Sequence, residues 1–175
     1  MPSPLGHGLA GLAVHVAFAR GPEELRSRGR ATLIVGAALA PDLDLLFRFA
    51  DGRNHHNNET HSMGLALLAA AAVVLLARIG SWARPSWLGA AVGAAWLSHV
   101  LLDYLNLDTN PPIGIMALWP VSRAYFKFPW PVFLDIGRTL EWATVRNNAV
   151  AAAWEAVLLH PVLAATWLLR SRARG

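Results

Sequence analysis

The sequence predicts an all-α protein, a polytopic transmembrane bundle of about five helices, and three observations carry that expectation. First, hydrophobic residues make up 55% of the chain and charged residues only 15%, against about 25% charged in typical soluble domains. A soluble protein of 175 residues built this way lacks the polar surface to cover itself, and lipid is the simplest cover. Second, five apolar stretches recur: Leu5–Ala19, Ala31–Phe47, Met63–Ala77, Trp87–Leu105 and Ala149–Leu169. Third, the cations fall in short segments between them, as in a membrane protein oriented by its loops. The eight Trp agree with this reading, because indole rings favour the headgroup region. By length, residues 1–175 form a single membrane-embedded domain.

A full crossing needs about 20 apolar residues, with a lower limit of about 17. Trp87–Leu105 and Ala149–Leu169 reach that length. Leu5–Ala19 and Met63–Ala77 are short, so they extend into their flanks, lie in a thinned bilayer, or cross incompletely. Ala31–Phe47 is interrupted at Pro41, whose ring removes a backbone donor and crowds the preceding turn. This predicts a helix, a break, and a short helix restarting at Asp42. Between the last two stretches lie Pro111, Pro112, Gly114, Pro120, Pro129, Pro131 and Gly137, which exclude a long helix early in the segment. Its aromatics (Trp119, Tyr125, Phe126, Phe128, Trp130, Phe133) place this long irregular loop on the membrane surface or over the end of the bundle. The start, Met1-Pro2-Ser3-Pro4, has no basic region and no small-residue cleavage site, so the first apolar segment is expected to be retained.

The formal charge is +4, but the cations form no stripe with interleaved aromatics, so no nucleic-acid partner is expected. Five crossings put Arg20, Arg26, Arg28, Arg30, Arg78, Arg84, Arg170, Arg172 and Arg174 on one side. Arg48, Arg53, Arg123, Lys127, Arg138 and Arg146 fall on the other. The positive-inside rule assigns the first set to the cytoplasm of a multi-pass inner-membrane protein.

With no Cys there is no disulfide framework and no thiolate site. Any metal must be held by imidazole and carboxylate, which leaves Zn, Mn, Fe and Mg open. Alternate crossings bring His7, Asp42, Asp44, His56, His61, His99 and Asp103 to one end of the bundle, from four separated segments. Random placement would send about half to the other end. Each residue also has a plainer reading. His99 and Asp103 are four apart and share a helical face, which suits a structural hydrogen bond as well as joint ligation. Asp42 and Asp44 flank a helix restart where a carboxylate can cap, and on a regular helix they diverge. His7 suits a helix start, and His55, His56 and His61 lie in a polar loop, Asn54 to Ser62. Against these readings stands cost: ionisable groups beside hydrocarbon are expensive and mark function by default. His15 and His160 fall inside apolar helices, and His160 precedes Pro161. Both read as buried hydrogen-bonding residues. Asp135, Glu141 and Glu155 can complete a second metal site, although their spacing does not demand one.

Gly6-His7, Leu39-Ala40-Pro41-Asp42-Leu43-Asp44, His56 with Thr60-His61-Ser62, and Leu97-Ser98-His99-Val100-Leu101-Leu102-Asp103 together resemble the YdjM-like membrane-bound metal-dependent hydrolases. Pro112-Ile113-Gly114-Ile115-Met116-Ala117-Leu118-Trp119-Pro120 is similar to that family's Gly-Ile…Leu-Trp-Pro segment. The match runs in order from His7 to Pro120. One departure is that His56 is followed by Asn57-Asn58 where the family usually reads Arg-Gly. The ligand order is also similar to that of zinc-dependent phospholipases C, whose further His and Glu ligands have no counterpart after Pro120. The resemblance implies a hydrolase whose metal lowers the pKa of a bound water and polarises a phosphoryl or carbonyl oxygen. The metal ligands it implies are His7, Asp42, His61, His99 and Asp103, with Asp44 and His56 orienting ligands or moving protons. Zn is the first expectation for the ion, with Mn or Fe behind it. The implied substrate is a phosphoester, small or lipid-borne, reached with membrane lipid at the outer face. The alternative is a membrane protein that binds or transports metal without hydrolysis.

Overall fold

The computed structural model describes residues 1–172, so Arg174 of the cationic tail lies outside the described residues. Helix α1 (Pro4–Phe18) starts where Pro4 supplies a helical φ and Ser3 Oγ accepts from the Gly6 N–H. A short corner, α2 (Pro22–Arg26), was not evident in the sequence pattern. Helix α3 (Arg28–Leu39) is capped by Ser27, whose Oγ accepts from the Arg30 N–H at 3.3 Å. A 3-10 turn follows (Ala40–Leu46), then α4 (Arg48–Asp51), closed by Gly52 in the left-handed region at φ 72°. A second 3-10 turn, Glu59–His61, leads into α5 (Met63–Ile79), capped by Ser62. Helices α6 (Pro85–Tyr104) and α7 (Trp142–Arg172) complete the chain, with no strand among the described residues.

Two expectations need correction. The break precedes Pro41, at Ala40, and the chain beyond it is a 3-10 turn instead of an α-helix restarting at Asp42. Pro41 sits in the first turn, where its missing N–H costs nothing. Helix α7 begins at Trp142, ahead of the apolar stretch, and runs unbroken through Pro161. The carbonyl that Pro161 leaves without a helical partner belongs to exposed Val157. Among the described residues, α6 and α7 alone are long and apolar enough to cross a membrane by themselves, and they contain the two stretches whose length in the sequence suffices for a full crossing. Helices α1 and α5 are apolar but shorter, and α3 has 12 residues.

Helix α1 packs against α3, α6 and α7, and α6 packs against α1, α3 and α5. The core between them is built from small residues: Ala37 and Ala38 of α3 lie with Ala91 and Ala95 of α6 around Ile34 and Val92. Helices α5 and α6 touch backbone to backbone. A Cβ on Gly89 would stand 2.3 Å from Val74 Cγ2 and 2.7 Å from the Ala70 carbonyl. Gly93, four residues on, faces the same Ala70. This is a small-xxx-small contact, which lets apolar helices associate through close packing.

The two ends of the bundle differ. At one, Arg84 Nη1 donates to Glu24 Oε1 at 2.7 Å, and Arg170 donates to the Ala17 carbonyl, gathering the cationic loops. At the other, the loop between α6 and α7 closes over the helix ends. There the Met63 N–H donates to Ala117 O, Gly64 N–H to Trp119 O, and Met116 N–H to Asn57 O.

Candidate metal centre

The closed end holds the cluster, and the irregular chain after α3 shapes it. The 3-10 turn has about three residues per turn instead of 3.6, so Asp42 and Asp44 need not diverge as they would on an α-helix. Both turn toward His61, and each meets a different nitrogen of that ring. Thr60 Oγ1 donates to Asp44 Oδ2 at 2.6 Å. His61 Nδ1 lies 3.0 Å from Thr60 Oγ1 and 3.2 Å from Asp44 Oδ2, so its proton is held there. His56 Nδ1 donates to the remaining oxygen, Asp44 Oδ1, at 3.0 Å. Asp44 thus accepts on both oxygens and directs the lone pair of His61 Nε2 to the opposite side. That orientation by an outer carboxylate is the usual support of a metal-bound imidazole.

Helix α6 supplies the rest. His99 Nδ1 donates to the Ala38 carbonyl at 2.8 Å, which leaves its Nε2 lone pair free as well. The two Nε2 atoms face each other at 3.1 Å. Asp103 Oδ2 lies 3.1 Å from His61 Nε2 and 3.0 Å from His99 Nε2. Asp42 Oδ1 stands 3.6 Å from each of the same two nitrogens. Ligand atoms about 2.0–2.1 Å from a tetrahedral ion are about 3.3 Å apart, and these five separations bracket that edge. Two imidazole nitrogens facing one another beside two carboxylates repel as lone pairs unless a proton or a metal cation lies between them. The donor set therefore fits a divalent ion held by Asp42, His61, His99 and Asp103, which all lie within 4.8 Å of one another. Electrostatics agree. Burial alone disfavours charge on His61, yet the carboxylates of Asp103, Asp42 and Asp44 raise its pKa well above the ordinary histidine value.

Asp44, His56 and His61 also lie close enough to share an ion. That would use His61 Nδ1, the atom already donating to Thr60 and Asp44, so the trio orients the neighbouring centre instead. His7, on α1, is fully buried, with its ring stacked on His99 at 3.7 Å between centroids. Its Nε2 lies 3.5 Å from Asp103 Oδ1. The structure thus gathers all seven residues that the sequence placed at this end.

The other candidates go elsewhere. Asp135 is engaged with the Met1 amine at 3.5 Å and with the Thr109 hydroxyl. Glu141 lies exposed on the surface. Glu155 is fully buried, and its carboxylate accepts from the Ser3 N–H at 2.7 Å and from the Ser3 hydroxyl, fastening α7 to the start of α1. His55 pairs with exposed Asp51 at 2.7 Å. His15 is buried and donates from Nε2 to the Leu25 carbonyl at 3.1 Å, as its apolar setting implied. His160 is not buried. It is exposed, with Nδ1 donating to its own helix's Ala156 carbonyl at 2.8 Å, and it lines an open groove with Leu12 and Val16 of α1. Sequence reasoning missed two supports. One is the Ala38 carbonyl; the other is Trp96, one turn before His99, whose Nε1 donates to Thr60 O at 2.8 Å. A backbone carbonyl leaves no residue-type signal, whereas Trp96 shares a helical face with His99 and was legible.

Fold and site together define an all-helical protein with two helices long and apolar enough to span a membrane and a buried His–Asp cluster of metal-ligand type at one end of its bundle. The chain belongs to the YdjM inner membrane protein family, whose family model matches residues 1–173. No curated protein and no solved structure matches the chain.

Proposed function

We propose that this protein is a membrane-bound metal-dependent hydrolase acting on a phosphoester through a metal-activated water. The observation that carries the reading is the pair of inward Nε2 lone pairs, 3.1 Å apart and flanked by Asp42 and Asp103. A divalent ion at that point, with Zn first by ligand type, would supply hydroxide near neutral pH. Asp42 is the least buried of the four ligands, its side chain 13% exposed against 0–2% for His61, His99 and Asp103, although its two oxygens are themselves covered. Substrate and water approach on its side. His56, held by Asp44 through Nδ1, keeps Nε2 free as a proton acceptor. The five apolar helices cross the inner membrane, the cationic end lies in the cytoplasm, and the cluster end faces outward, where a lipid-borne phosphoester is within reach.

A second reading, a membrane protein that holds metal without hydrolysing anything, is favoured by the near-complete burial of three of the four ligands. Transport has less support, since His15 is tied to Leu25 and His160 is exposed and bonded to its own helix's Ala156 carbonyl. Protein purified in mild detergent separates the readings. Metal analysis should find a tightly held divalent ion, and a screen of phosphoester and ester substrates should find turnover. His99→Ala and Asp103→Ala should each lose both. Full metal content in both variants would refute the site, and metal without turnover across the screen would favour the second reading.

A further inference from the structure

At the cationic end, three guanidinium groups from three segments converge on one carboxylate. Arg20 follows α1, Arg30 lies in the first turn of α3, and Arg84 precedes α6. Glu24 of α2 answers them incompletely. Its Oε1 accepts from Arg84 Nη1 at 2.7 Å, but its Oε2 accepts from the Arg20 backbone N–H at 2.9 Å and leaves Arg30 Nη2 at 3.8 Å. Arg30 Nη2 donates instead to the Phe18 carbonyl at 3.2 Å, and its Nε is buried with no hydrogen-bond partner. The Arg20 guanidinium lies over the Trp87 ring, 4.0 Å from its centre. That contact uses the flat face and leaves the in-plane N–H groups unengaged among the described residues. Trp87 is fixed in turn by its Nε1–H, which donates to the Phe18 carbonyl at 2.8 Å. Residues 20–30 and Arg84 together carry five Arg against Glu23 and Glu24. The surplus is positive, and Arg30 carries part of it below the surface.

Two hollows adjoin here through Trp82 and Ala83, consecutive in the chain. Arg20, Glu24 and Arg84 line an open polar depression, and Arg30 borders an apolar slot walled by Leu33, Trp82 and Leu88. Surplus guanidinium donors suit a phosphate, which they bind through paired N–H groups. The slot beside them suits hydrocarbon and gives nothing to a soluble anion. We infer that Arg20, Arg30 and Arg84 bind the phosphate of an anionic phospholipid, with one acyl chain lying along Leu33, Trp82 and Leu88. This rests on the membrane reading above, which sets this end among lipid headgroups where indoles such as Trp82 and Trp87 are favoured. It does not depend on the metal centre at the opposite end. A lipid bound there joins the ends of α1, α3 and α6, and it offsets the positive charge that Glu24 leaves unpaired.

Lipid binding by the full-length protein in mild detergent tests this, with phosphatidylglycerol as the anionic probe, phosphatidylcholine as the zwitterionic control, and native mass spectrometry to count bound lipid. Wild type should hold phosphatidylglycerol in preference to phosphatidylcholine. Arg20→Gln and Arg84→Gln should each weaken that preference about fivefold. Arg172→Gln, which removes the same charge from an exposed position at the same end, should leave it unchanged. Arg20→Gln keeps the backbone N–H that Glu24 accepts, so it decides the matter if Arg84→Gln fails to fold. Inorganic phosphate and glycerol 3-phosphate, which lack the acyl chain, should not displace the lipid. No preference in the wild type, equal losses in all three variants, or displacement by either soluble phosphate overturns the site. Binding is read in micelles, so its outcome is separate from the crossing pattern, which labelling at Ser27 and Asn58 tests.

Discussion

At the scale of single residues, the site is a division of labour between atoms that face inward and atoms that hold them. Asp44 makes the clearest case, since its carboxylate is committed to His56, Thr60 and His61 before any ligand arrives. Asp44→Asn keeps the shape but turns an acceptor into a partial donor, and His61 Nδ1–H loses its anchor. Metal affinity should fall about 10–100-fold, measured by competition with a chromophoric chelator; an unchanged affinity would remove Asp44 from this role. The isolated histidines give a second contrast. His15→Ala strands the Leu25 carbonyl and should destabilise by about 1–3 kcal/mol. His160→Ala strands nothing buried and should stay within about 0.5 kcal/mol. Detergent-solubilised melting temperatures compare the two, and equal losses would mean that His160 is covered. The sequence showed that both sit among apolar residues, but not which face of α7 meets the bundle. Periodicity is too weak to tell in a helix apolar on all sides.

At the scale of elements, the bundle is held by close approach and not by large side chains. Gly89→Leu would drive a branched side chain into Val74 and the Ala70 carbonyl. The α5–α6 pair must then separate, displacing Ser62 and the His61 turn ahead of α5 from His99. Melting temperature and bound metal should fall together; loss of stability with metal per folded molecule preserved would show that the centre tolerates the shift. The helices themselves were legible because each is a long apolar run with an evident cap or Pro start. The 3-10 geometry after α3 was not, because Pro41 signals an interruption without saying what replaces the helix. That one ambiguity left Asp42 and Asp44 apparently divergent, when the tighter turn lets both reach His61. Likewise α2 is too short to show periodicity.

At the scale of the whole molecule, the crossing pattern read from charge agrees with two ties. Arg84 reaches Glu24, and Arg170 reaches the end of α1, so three chain segments meet at the cationic end. The His–Asp residues meet at the opposite end. Single-Cys labelling at Ser27 and Asn58 in intact membranes is clean, since the chain has no native Cys. The two positions should label from opposite sides, with Ser27 cytoplasmic; labelling from the same side would break the topology, and a uniform inversion would only move the centre to the cytoplasm. Helix lengths add a constraint. Helix α1, at 15 residues, is about 22 Å long, and α7, at 31, about 46 Å. In a hydrocarbon core of about 30 Å, α7 would have to project or tilt, and α1 would fall short of a full crossing.

The ligands also arrive in a fixed temporal order. His7 is made first, then Asp42 and His61, and Asp103 only as α6 is completed. No fragment of the growing chain that ends before Asp103 contains both nitrogens and both carboxylates, so a chain shorter than that cannot assemble the set. An ion held by this set is taken up after α6 has been inserted beside α1 and α3, from whichever compartment the closed end then faces.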